Sequence, residues 1–136
     1  MKNKILIILI FLLSANTSHA DSLNINASNI SIDKKEKLTV FEGDVYAKDE
    51  KNNEFKTQFA EYKKELKLLE SKGETTILTS EGFYLVGEDI LFDNKNNIIK
   101  SSKPAKIQDL EKNNIFLENF EYSTEDNFFK SIGKVK

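Results

Sequence analysis

Cysteine, tryptophan and arginine are absent from this chain, and proline, histidine and methionine occur once each. Without cysteine there is no disulfide scaffold, no thiolate metal site and no Cys-His catalytic pair. Without arginine the forked donor that grips phosphates and guanine edges is missing, so no nucleic-acid partner is expected. Hydrophobic residues make up 39% of the chain against 31% charged, which is enough for a core and too much for wholesale disorder. At 136 residues one folded domain is expected.

The first twenty residues read as a targeting segment. Lys2 and Lys4 precede an uninterrupted apolar run, Ile5 to Leu13, followed by the small and polar stretch Ser14 to Ala20. The run is nine residues long, about half of the ~20 that a helix needs to cross a bilayer. Ser18 and Ala20 supply small side chains where a signal peptidase reads them, so residues 1–20 are expected to be a signal peptide and 21–136 the mature domain. Two of the 20 lysines leave with the segment, so 18 remain against 22 acidic residues, a net charge of −4. Met1 and His19 leave too, and with them the one side chain that titrates near neutrality unperturbed. No G-x-S-x-G motif is present, so no catalytic residue, cofactor or metal is expected. Asp33, Asp93 and Asp126 with nearby asparagines form no D-x-D-x-D-G loop and read as turns.

A thirty-residue repeat organises the mature chain. It aligns Ile30, Ala60, Ile90 and Phe120, and two residues later Ile32, Tyr62, Phe92 and Tyr122. The same step aligns Leu38, Leu68, Ile98 and Phe128, then Val45, Thr75, Ala105 and Val135, with Gly43, Gly73 and Gly133 in a column where Lys103 is the exception beside Pro104. Polar turn compositions recur about every fifteen residues, at 33–37, 49–53, 63–65, 79–82, 93–97, 110–114 and 123–127. Apolar columns with period two between such turns predict antiparallel strands joined by short hairpins. Residues 59–69, FAEYKKELKLL, have helical propensity, but their counterparts at 29–39 and 89–99 carry asparagine and β-branched residues, so strand is expected.

Apolar parity switches within a strand, from residues 38 and 40 to residues 45 and 47, with Gly43 between them. A one-residue slip moves side chains to the opposite face, so a bulge or bend is implied there. Each long strand then contributes to two layers that face one interior. Pro104 removes a ladder donor, which suggests that its strand is an edge or is bulged. Lys100, Lys103 and Lys106 are placed better on a solvated edge than at a phosphate-binding site.

Ala27-Ser28-Asn29-Ile30, the run Leu38 to Ala47 containing Phe41-Glu42-Gly43-Asp44-Val45, and Thr57 to Tyr62 with a glycine eleven residues later together resemble the organic-solvent-tolerance (OstA-like, LptA-type) domain over the whole mature chain. The resemblance implies an all-β, bent antiparallel jelly roll of about four thirty-residue two-strand repeats. It implies no catalysis, lipid A chains held between the sheets, and open ends that pair with neighbouring domains. The setting implied is the periplasm of a Gram-negative bacterium, in association with the outer membrane. A bridge protein and the amino-terminal module of the outer-membrane lipopolysaccharide assembly protein both remain open, and the short fourth copy suggests truncation at the carboxyl end.

The lipid-groove candidates are Ile30, Ile32, Leu38, Val45, Ala60, Tyr62, Leu68, Ile90, Phe92, Ile98, Ile107, Phe120, Tyr122 and Phe128. Those columns are first of all a core, and a lipid-free structural repeat module would pack them to near-crystalline density. The lipid reading needs the layers to splay, each buried methylene of an acyl chain then contributing ~0.8 kcal/mol. Leu23, Ile25 and Ala27 at one end and Phe129, Ile132 and Val135 at the other are the candidates for head-to-tail strand pairing with lipopolysaccharide-transport components of the same fold or with another copy. For the amino terminus, intact mass of the exported protein is expected to show a chain beginning at Asp21, and retention of residues 1–20 would overturn the cleavage reading.

Overall fold

The computed structural model describes residues 22–136, so the signal segment expected at 1–20 lies outside the described residues. Thirteen strands run in chain order: Asn24–Asn26 (β1), Asn29–Asp33 (β2), Leu38–Lys48 (β3), Glu54–Lys63 (β4), Leu68–Ser71 (β5), Glu74–Leu78 (β6), Tyr84–Glu88 (β7), Leu91–Asp93 (β8), Ile98–Ser101 (β9), Ala105–Gln108 (β10), Asn114–Leu117 (β11), Phe120–Ser123 (β12) and Phe128–Ser131 (β13). The ambiguous stretch 59–69 is the end of β4, a turn and the start of β5, so strand holds over helix.

Two kinds of turn punctuate the chain, and both repeat every thirty residues. In the first, the loops at 34–37, 64–67, 94–97 and 124–127 end on a left-handed residue: Lys37 (φ 54°), Lys67 (53°), Asn97 (58°) and Asn127 (54°). At 34–37, 94–97 and 124–127 the residue before the loop holds the turn with its side chain, and at 64–67 the Lys63 carbonyl accepts the Leu66 amide instead. Asp33 Oδ1 accepts the amides of Lys35 and Glu36, both at 2.9 Å, and Asp93 Oδ1 those of Lys95 and Asn96 at 3.1 and 3.0 Å. In the second kind, Asp49, Thr79 and Asp109 accept the amides of Asn53, Phe83 and Asn113 at 2.8, 3.0 and 2.8 Å. The left-handed seats are then Asn52, Gly82 and Lys112. Short polar side chains that satisfy nearby backbone are what such loops require.

Every pairing is antiparallel, in the order β11-β10-β7-β6-β4-β5-β8-β9-β12-β13, with β1 and β2 both on β3 and β3 on β4. β3 and β4 are long enough to cross a bend and belong to two layers. The first layer holds β1, the later half of β3, the earlier half of β4, then β6, β7, β10 and β11. The second holds β2, the remaining halves of β3 and β4, then β5, β8, β9, β12 and β13.

The bend expected at Gly43 is there. The β3–β4 register slips between Glu42 and Val45, with Gly43 and Asp44 both left-handed at φ 75° and 46°. Gln58 caps the bulge: the Asp44 amide donates to its Oε1 at 3.3 Å and its Nε2 donates to Asp44 Oδ1 at 3.4 Å. Gly73 and Gly133 hold the same seat at φ 81° and 115°. Where Lys103 replaces the glycine, the bend is fastened by ion pairs from Lys103 to Asp89 and Glu88 and by Ser101 Oγ donating to the Glu88 carbonyl at 2.9 Å. Of the two readings of Pro104, an edge or a bulge, the edge is excluded here. β9 lies between β8 and β12, and β10 between β7 and β11, so the proline sits at a bend inside the sheet, where a missing amide breaks no ladder.

The column Leu38, Leu68, Ile98 and Phe128 also needs correction. Thr39, Tyr62, Leu69, Phe92, Ile99, Tyr122 and Phe129 pair in one row across the second layer, and Leu69, Phe92, Ile99 and Tyr122 belong to the buried core. Leu38, Leu68, Ile98 and Phe128 are one residue away and therefore face outward. A four-residue loop pairs residue 33 with 38 and 32 with 39, so the inward column begins at Thr39. Leu69→Ala is accordingly expected to cost about 2–5 kcal/mol in urea unfolding, and Leu68→Ala less than about 1.5 kcal/mol. Equal losses at the two positions would overturn the assignment of faces.

Candidate functional site

The interior between the layers is apolar in its middle. Ala60, Leu69 and Ile90 have no exposed surface, and Val45, Phe92, Ile107, Phe120 and Tyr122 are also buried. Tyr62 is half-buried against this cluster, and burial raises its hydroxyl pKa above the ordinary value. Two further columns at the thirty-residue step face inward: Ala47 and Ile77 with the candidate Ile107, and Ile25 with Phe55, Leu85 and Ile115, of which pattern reading had only Ile25 and as an edge residue. The second was legible as an apolar residue at the same place in every copy.

Polar groups inside are spent on the protein itself. Near the bends, Thr75 Oγ1 donates to Ser71 Oγ at 2.7 Å, Ser71 Oγ accepts the Ile90 amide at 2.9 Å, and Thr57 Oγ1 donates to the Glu74 carbonyl at 3.1 Å. These hydroxyls replace ladder partners where strands turn from one layer to the other. Among the described residues no buried side-chain nitrogen or oxygen lacks a partner. Contact with anything held inside is therefore apolar.

The two ends of the interior are different from its middle. β1 and β2 pair with β3 alone. Ile30 and Ile32 lie on the inward face, opposite Phe41 and Thr39, yet are 54% and 69% exposed. Leu23, Ile25 and Ala27 in the other layer are half-buried against the core. At the far end β13 pairs with β12 alone, and Val135 bridges to Leu117 beside β11. Phe129 stacks on Tyr122 with ring centres 4.3 Å apart, while Ile132 and Val135 are exposed. The second-layer column that faces outward, ending at the exposed Phe128, takes no part in either end's interior.

The hollows on the surface lie elsewhere. One of about 450 Å³ is lined by Asp44, Val45, Tyr46, Lys56, Thr57, Gln58, Glu74 and Thr76, and another of about 290 Å³ reaches from Glu74 to Phe116. Tyr46, Lys56, Thr76, Val86, Lys106 and Phe116 form one row on the outer face of the first layer, so these hollows are grooves outside the roll. Of the three lysines read as a solvated edge, Lys100 and Lys106 are exposed on outer faces, and Lys103 is committed to the bend. There the Lys103 ammonium, followed by the Gly73 amide, holds the Asp89 carboxyl below the usual carboxylate range.

No protein-family model and no curated protein matches the chain. Among solved structures, the crystal structure of LptH, the LptA-homologous periplasmic component of the lipopolysaccharide transport device of Pseudomonas aeruginosa, superposes with a TM-score of 0.70. The match covers 82% of this chain and 82% of that one, at 17% identity. The chain has the LptH fold. The antiparallel jelly roll that the short motifs implied is therefore the architecture observed.

Proposed function

We propose that the chain is a periplasmic, non-catalytic carrier that holds the acyl chains of lipopolysaccharide between its layers and hands the lipid toward the outer membrane. The observation that carries this reading is the apolar interior that runs to both ends and is exposed there, at Ile30 and Ile32 on one side and Val135 on the other. Its saturated polar groups leave an occupant only apolar contact, the interaction by which hydrocarbon is held. The likeness to LptH supports the same cargo. The groove residues are the inward set: Ile30, Ile32, Val45, Ala60, Tyr62, Ile90, Phe92, Ile107, Phe120 and Tyr122. Leu38, Leu68, Ile98 and Phe128 are left out because they face outward. Photocrosslinking side chains at Ile32, Phe92 and Tyr122 are expected to capture lipopolysaccharide in cells, and one at Leu68 is not. Absence of adducts at all three inward positions would overturn the reading.

A second reading, a lipid-free structural module, is favoured by the closed middle of the interior, where Ala60, Leu69 and Ile90 are fully covered. The same experiment separates the two, since a permanently packed middle gives adducts at neither Phe92 nor Tyr122.

Head-to-tail pairing with a domain of the same fold is the third part of the proposal. Internal pairings of β9 with β12 join Ile98 to Ser123 and Ser101 to Phe120, and Ala105 joins Leu117. Advanced by one repeat, the same register sets Phe129 opposite Ile32, Lys130 opposite Ser31, Ser131 opposite Ile30 and Val135 opposite Ala27 of the next copy. Exposed apolar residues at one end thus meet inward residues at the other, and unpaired strand edges gain partners. Lys130→Cys with Ser31→Cys is expected to give oxidised dimers and longer chains, with neither single substitution doing so. A chain that remains monomeric by light scattering at every concentration would overturn self-pairing.

A further inference from the structure

The two layers are joined in different ways on their two sides. On the bend side the joint is the chain itself, with β3 and β4 unbroken and only two or three residues separating β5 from β6, β7 from β8, β9 from β10 and β11 from β12. On the other side the hairpin tips meet. The tip at 49–53 of the first layer touches the tip at 94–97 of the second, where Lys51 Nζ donates to Asn97 Oδ1 at 3.4 Å. The tip at 79–83 touches the tip at 124–127, where Asn127 Nδ2 donates to Glu81 Oε1 at 3.1 Å. These two clasps are one repeat apart. Both use the left-handed asparagine that ends a second-layer loop.

Tips are tied more firmly along each layer than across the seam. Within the second layer the Asn94 amide donates to the Lys67 carbonyl at 3.0 Å and the Thr124 amide to the Asn97 carbonyl at 2.8 Å. Within the first, the Ser80 amide donates to Asn53 Oδ1 at 2.9 Å. The two clasps, by contrast, join solvent-exposed side chains, whose hydrogen bonds compete with water. Asp49, Asn53, Thr79, Asn94 and Thr124 make the buried lining of this seam polar, unlike the apolar middle of the interior. A hollow of about 40 Å³ lies between the facing loops, lined by Asp49, Glu50, Lys51, Asn94 and Asn97. That exceeds the ~10–15 Å³ a water needs. Each row of tips is therefore a unit, and the joint between the rows is polar and weak.

We propose that this seam is a lateral gate to the interior, with Lys51–Asn97 and Glu81–Asn127 as its latches, and that the roll opens along its side by hinging at the bends. The inference rests on the carrier reading above and adds the route by which an occupant enters. Behind the second latch, Tyr122 donates to Asn127 Oδ1 at 3.0 Å, and Phe129 meets Phe83 edge-on with ring centres 5.4 Å apart. The Tyr122 bond stays within the second layer and fixes Asn127, whereas opening there parts the Phe83–Phe129 contact together with the Glu81–Asn127 bond, so the gate closes on apolar surface.

The test uses fluorescently labelled lipopolysaccharide and the purified exported chain. Glu81→Cys with Asn127→Cys, bridged by a short bis-maleimide, is expected to load lipid at least tenfold more slowly than the same variant capped with a mono-maleimide; the chain has no other cysteine to react. Lys51→Ala with Glu81→Ala changes two exposed loop residues, leaves the left-handed asparagines in place, and is expected to load at least threefold faster than the unaltered chain. Equal loading by the bridged and capped forms, or no acceleration in the alanine variant, would overturn the gate and leave the carrier reading standing. No loading by any form, the unaltered chain included, would overturn both.

Discussion

The structure depends on the length of its turns. Each loop at 34–37, 64–67, 94–97 and 124–127 closes on a residue with φ near +55°, so residue 33 must pair with 38 and its counterparts follow one repeat on. That one pairing decides which side chains enter the interior, because a strand turns alternate residues to opposite faces. Thr39, Leu69, Ile99 and Phe129 face in; Leu38, Leu68, Ile98 and Phe128 face out. Lysine occupies three of the seven left-handed loop seats, at an energetic cost of roughly 1–2 kcal/mol each for a side chain bearing Cβ, and the repeated hydrogen bonds around the loops offset it.

A second constraint follows from the first. Strands about ten residues long, each kinked midway, necessarily supply two layers, and the kinks stack into one line of bends. Glycine or a bulge makes the kink where φ must be positive; at the one copy without glycine, Pro104 and the Lys103–Asp89 pair make it instead. The layers are joined by covalent continuity at the bends and by side-chain contacts at the tips.

Hydroxyls and amides inside are matched to one another, and the inward row from Ile32 to Phe129 is apolar or aromatic at every place but Thr39. Repetition also makes the two ends complementary, since the first half-repeat is equivalent to the one that would follow the last. An assembly of such rolls continues the internal register across the junction with no new geometry. Exposed apolar residues at both ends are then the ordinary consequence of cutting a repeating core.

Much of this was legible in the chain alone. The thirty-residue step, the turns at Asp33, Asp49, Thr79 and Asp93, the bulge at Gly43 and strand over helix at 59–69 all follow from local chemistry, because loop capping and left-handed backbone need particular residues at particular places. Which face Leu68 or Leu69 takes did not follow: Leu68-Leu69, Ile98-Ile99 and Phe128-Phe129 are apolar pairs, so either parity fits and only the pairing across a four-residue loop chooses between them. Pro104 left two readings open for a related reason. A missing donor marks a break in the ladder, but whether that break is an edge or a bend depends on which strands pair on either side of it. Composition and repeat thus determined the kind of strands and where they turn, whereas long-range pairing decided their faces, the polar seam opposite the bends and the contents of the interior.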